Sequence, residues 1–121
     1  MDLAKRIKDF LDRFQIEAKA RRALRKLVPS DFYEVEVVSP EEYRAKYLTG
    51  NAITIGHLII LRSDRIRLTT VLHEYRHVWQ YYYRVPWGLL RREHDAYSFA
   101  FKFSEMPWVQ GWWQYFFPQE R

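Results

Sequence analysis

From about residue 65 to residue 83 apolar side chains recur at helical spacing, and Val85-Pro86-Trp87-Gly88 then breaks the run. A second helical pattern fits residues 88–104. Two helices joined by so short a breaker lie against each other as an antiparallel hairpin. Residues level with one another in such a hairpin have numbers that sum to a constant, here roughly 170–172. That pairing constrains the rest of the reading, because it says which side chains of the second helix face which side chains of the first.

The remaining elements follow from the pattern before the hairpin. Leu3, Ile7, Phe10, Leu11, Phe14 and Ala18 share one helix face, and Leu24, Leu27 and Val28 extend the apolar run until Pro29 stops it. The spacing therefore predicts a basic amphipathic helix over residues 1–28. Phe32 to Val38 alternates with Glu34 and Glu36 on one side, as in a half-wet strand. Ser39-Pro40 opens a short helix reaching about Leu48, and Gly50-Asn51 is turn chemistry. Residues 52–61 read as one or two strands, with Gly56 as a bulge or tight turn. Ser63 or Asp64 is placed to cap the hairpin's first helix. Pro107, Gly111 and Pro118 divide an aromatic tail, residues 107–121. The order predicts an α+β class and one small domain over residues 1–121, with a small, mostly antiparallel sheet.

Cysteine is absent, so disulfides and thiolate metal sites are excluded and any metal must bind through His, Asp or Glu. A cysteine-free chain with no apolar leader-like stretch suits the cytoplasm. No run of apolar residues is long enough for a transmembrane helix.

Residues 73–77 read His-Glu-Tyr-Arg-His. On a helix, i and i+4 share a face with Cβ atoms ~5–6 Å apart, so His73 and His77 can converge on one ion at ~2.0–2.1 Å. Glu74, next to the first histidine, is poised for a different task. Zinc lowers the pKa of a water it binds to ~7, and a neighbouring carboxylate can take that proton and later return it to a leaving amine. A hydrolytic zinc site also needs a third protein ligand. The hairpin sets His77 level with about Glu93, and His73 with about Tyr97. Asp95 lies about 200° from Glu93 around the helix, and His94 about 100°. Glu93 is therefore the first choice as third ligand, followed by Asp95 and His94. Tyr97 and His57 are candidates for contacting the substrate or the transition state.

The stretch from Leu68 to Ala100 resembles the gluzincin zincins, and the chain's size is similar to that of the minigluzincins. Glu93 followed at +3 by Ala96 matches the segment whose Glu completes the metal site in that group. Glu93-His94-Asp95-Ala96-Tyr97-Ser98-Phe99-Ala100, with Met106-Pro107 after it, is also similar to ImmA/IrrE-type peptidases. His77 and Gln80 form an HxxQ pattern seen in small bacterial HExxH families. The resemblance implies one Zn2+ ion held by His73, His77 and Glu93, with Glu74 as general base and acid in peptide-bond hydrolysis. It also implies that an edge strand, residues 52–56 or 58–61, binds an extended peptide by main-chain pairing. Tyr97 departs from the pattern, since some gluzincins carry Asp four positions after the Glu, and the interval from His77 to Glu93 is short for the group.

Two features admit other functions. Residues 1–28 carry nine Lys/Arg against four Asp/Glu, whereas the rest of the chain is balanced. That surplus reads as a solvated helix face, or as a surface for nucleic acid or another anionic partner. Trp108, Trp112, Trp113, Tyr115, Phe116 and Phe117 either fold back over a small core or cover the cleft. The covering alternative makes the protein a latent, metal-binding interaction module rather than an active peptidase.

Overall fold

The computed structural model describes residues 2–47 and 50–118. Helix α1 spans Leu3–Ala20, and the Asp2 carboxylate caps it by accepting from the Ala4 N–H at 3.0 Å. Its apolar stripe, Ile7, Phe10, Leu11, Phe14 and Ala18, is fully buried. The helix stops eight residues short of the expected end. Arg22 takes φ 60°, and the N–H groups of Ala23 and Leu24 both turn back onto the Ala18 carbonyl. Beyond it, Gln15 holds the backbone of Val28 in both directions: the Val28 N–H donates to Oε1 at 2.8 Å, and Nε2 donates to the carbonyl at 3.2 Å. Leu24 and Val28 are thus buried as a returning loop. Apolar content placed them inside correctly; helical periodicity misassigned their conformation.

A 3-10 turn at Ser30–Phe32 leads into strand β1, Glu34–Val38. Ser39 caps helix α2, Pro40–Lys46, by accepting from the Glu42 N–H at 3.1 Å. Residue 48, the expected helix end, falls outside the described residues. Strands β2, Ala52–Ile55, and β3, Leu58–Arg62, form a hairpin turning at Gly56, whose φ of +61° suits glycine. The sheet order is β1-β3-β2; β3 pairs antiparallel with β2 and parallel with β1. The sheet is therefore mixed rather than mostly antiparallel. Strand β2 starts level with the end of β1 and runs back, so β3 begins at the end where β1 began and pairs with it in parallel.

Helix α3 spans Leu68–Tyr82, and neither Ser63 nor Asp64 caps it. Asp64 is held instead by the Arg62 guanidinium, at 2.7 and 3.0 Å, so its carboxylate is already committed. Helix α4 spans Leu89–Ser104 and lies along α3. Helix α5 spans Pro107–Phe116, with proline in its first turn, and runs through Gly111 without a break. It folds back onto α1. Phe14 is the hub: its ring meets those of Tyr75, Phe99, Phe103 and Trp108 at centroid distances of 5.2–6.0 Å. Burying one such aromatic contributes ~1.5–3 kcal/mol. Arginines of α1 and of its C-terminal cap lie over rings from the C-terminal segment: Arg6 over Phe117, Arg13 over Trp112 and Arg21 over Trp108, at 5.9, 4.2 and 4.9 Å. Much of the basic excess near the N-terminus is thus engaged within the fold. Among the described residues no helix is long and apolar enough to cross a membrane.

Candidate metal centre

The hairpin delivers its side chains in the expected pairing. His73 and His77 project from one face of α3, and Glu93 reaches them from α4. The two Nε2 atoms lie 3.2 Å apart, and Glu93 carboxylate oxygens lie 3.0 Å from His73 Nε2 and 3.2 Å from His77 Nε2. Together the three residues form a group able to hold one metal ion. Ligands at ~2.0–2.1 Å in a tetrahedral array stand ~3.3 Å from one another, so these separations suit a common ion. Asp95 and His94 do not join the group. His94 is exposed. The Asp95 carboxylate is instead engaged by Arg76, whose Nε donates to it at 2.7 Å.

That Asp95 contact does reach the centre through one further residue. Gln80 Nε2 donates to Asp95 Oδ2 and to the Arg92 carbonyl, both at 2.9 Å. With both amide protons used, Gln80 Oε1 faces His77 Nδ1 at 2.9 Å and must accept from it. The proton of His77 is therefore on Nδ1, and the Nε2 lone pair points to the centre. Burial pushes Asp95 upward, but the hydrogen bonds from Arg76 and Gln80 outweigh it and hold the carboxyl below its ordinary range. The sequence displayed Gln80 three positions after His77, yet gave it no partner. Its amide orientation depends on contacts from α4, which spacing along α3 does not specify.

Glu74 is buried beside the centre, with Oε2 3.8 Å from His73 Nε2. The Thr54 hydroxyl on β2 lies 2.9 Å from Glu74 Oε1 and 3.1 Å from the Glu74 backbone carbonyl. Burial raises the Glu74 pKa above its ordinary value, and the Thr54 hydrogen bond partly opposes this. Burial, then the neighbouring His77, lowers the pKa of His73 and favours its neutral, ligating form. His73 Nδ1 is buried with no hydrogen-bond partner among the described residues. Thr54 had no signal in the sequence, since only the packing of β2 on α3 brings it here.

These groups floor a cleft of about 1330 Å³. One wall is β2, a free edge of the sheet, through Ala52, Ile53 and Thr54. The facing wall is α4, where Leu89, Glu93, Tyr97 and Phe101 recur every fourth residue. The Tyr97 ring stands 4.3 Å from that of His73. His57 does not line the cleft; it is exposed at the β2–β3 turn, 6.3 Å from the Phe32 ring. Among the described residues nothing beyond Phe101 lines the cleft, because α5 packs on α1 instead. No protein-family model, curated protein or solved structure matches the chain.

Proposed function

We propose that the protein is a zinc-dependent peptidase that hydrolyses peptide bonds in an extended substrate. The observation that carries this reading is the convergence of His73, His77 and Glu93 at the floor of an open cleft, with the buried Glu74 carboxylate facing them. Two imidazoles and one carboxylate suit zinc, and the cleft leaves room for a further ligand. Zinc held there would lower the pKa of a bound water and polarise a substrate carbonyl.

The chain's own groups account for the remaining chemistry. Gln80 keeps the His77 Nε2 lone pair available. Glu74 accepts the proton of the attacking water and returns it to the amine as the peptide bond breaks. Its raised pKa serves the first half of this task, because a carboxylate that holds a proton more tightly is a stronger base. The Thr54 hydroxyl holds Oε1 in place. The exposed edge of β2 offers main-chain groups to an extended peptide, and Tyr97 is placed to contact what enters beside His73. The alternative of a latent module closed by its aromatic tail draws no support from α5, which lies on α1.

Metal analysis of the purified chain, combined with a broad peptide-cleavage screen, tests the proposal. Near-stoichiometric zinc is expected, along with cleavage that Glu74→Gln abolishes while retaining the metal. A folded chain that takes up no zinc would remove the basis of the reading.

A further inference from the structure

The cleft differs at its two ends. Beyond His73, α4 contributes Tyr97 and Phe101, stacked with centroids 6.3 Å apart. At the other end, where α3 turns into α4, Arg84 and Arg92 line the cleft and are exposed. Neither forms an ion pair among the described residues, although most cations of α1 do. The neighbouring Arg91 is occupied over the Trp87 ring at 4.6 Å. Arg84 adopts φ 50°, a left-handed conformation disfavoured for a side chain of this kind, at the sharp reversal between the helices. The carboxylates lining the cleft are Glu74 and Glu93, and both belong to the centre. This end therefore presents two cations with no internal counter-charge.

We propose that Arg84 and Arg92 receive an anionic side chain of the bound peptide, so that Asp or Glu close to the scissile bond is selected and Lys or Arg is rejected. This inference rests on the peptidase reading for the identity of the ligand as a peptide. Arginine forks recognise carboxylates through paired hydrogen bonds, and two unpaired guanidiniums disfavour a third cation by direct repulsion. The first turn of α4 lies at the same end, and its uncapped N–H groups add positive potential. A peptide lying along β2 then spans the cleft with its acidic group at the arginine end and an apolar side chain toward Tyr97 and Phe101.

The test separates binding from turnover. Labelled peptides of the forms Ala-Ala-Xaa-Phe-Ala-Ala and Ala-Ala-Phe-Xaa-Ala-Ala, with Glu, Gln or Lys at Xaa, are titrated into zinc-loaded full-length Glu74→Gln protein by fluorescence anisotropy. In at least one series Glu is expected to bind roughly tenfold tighter than Lys, with Gln between them. Arg84→Glu combined with Arg92→Glu should reverse that order, and Arg92→Gln, which adds no charge beside Glu93, should weaken it. Circular dichroism and zinc content confirm that each variant is folded and loaded. Equal affinities, a Glu preference that survives charge reversal, or no binding of any peptide would overturn the inference. Cleavage of the same peptides by the unmodified chain reports separately: charge-selective binding without cleavage would remove the peptidase reading and leave the anionic site standing.

Discussion

Gln80 shows how a residue outside the candidate ligand group bears on its geometry. It passes the fixed geometry of the Arg76–Asp95 pair to His77, and so sets which ring nitrogen carries the proton. Removing such an outer partner typically costs 10- to 100-fold in metal affinity. Gln80→Ala is therefore expected to weaken zinc binding by about that factor in a chelator competition while the helical spectrum is retained. Asp95→Asn should produce a smaller loss, because the oxygen of the new side-chain amide can still accept from Gln80. If Gln80→Ala matched the unmodified chain in the competition, the proposed tautomer control would fail. The convergence of His73, His77 and Glu93 was legible in sequence, since these positions obey helical arithmetic. Thr54 and the amide orientation of Gln80 were not, because each is fixed by contacts across elements.

At the scale of elements, α5 is the part whose role the sequence left most open. Its aromatic residues allowed a lid or a packed helix, and composition alone does not tell these apart. Trp108 and Trp113 resolve the choice by lying against Phe14 and Phe10 of α1, at 6.0 and 5.1 Å. Ending the chain at Glu105 should therefore lower thermal stability sharply, and not release a blocked activity. A truncated protein that kept its melting temperature would contradict this packing role. Phe14→Ala tests the same interface from the other side and should cost about 3–5 kcal/mol in denaturant unfolding. Gly111 offers a change of opposite sign. It sits within α5, exposed, and an added Cβ there meets nothing within 4 Å. Gly111→Ala should thus stabilise the protein by about 0.5–1 kcal/mol, through helix propensity and a less flexible unfolded chain. An unchanged or lowered melting temperature would show that α5 contributes less helical order than its hydrogen bonding implies. The early end of α1 has a related cause: the apolar run continued to Val28, but Gln15 captured that residue's backbone and made a loop the better arrangement.

For the whole molecule, the buried tyrosines link stability to pH. Tyr33 and Tyr75 are almost wholly enclosed and lie near each other, with ring centroids 6.2 Å apart. Burial raises both pKa values, and the Asp12 carboxylate, to which the Tyr33 hydroxyl donates at 2.9 Å, adds to the shift of Tyr33. The folded state therefore favours the neutral phenols more strongly than the unfolded chain does. Groups whose folded pKa is raised contribute stability that is fully present below the unfolded value, ~10 for tyrosine, and that declines as pH rises above it. Urea midpoints should be nearly level between about pH 8 and 9 and fall steeply above ~10. Tyr33→Phe keeps most of the buried ring but cannot ionise, so its alkaline limb should be shallower even though its stability at pH 8 is lower, Asp12 having lost a donor. Tyr75→Phe should behave alike, since Tyr75 donates to Gln15, the residue that ties the α1–β1 loop. If both variants followed the parent curve above pH 10, the buried phenols would not be the source of the alkaline limb.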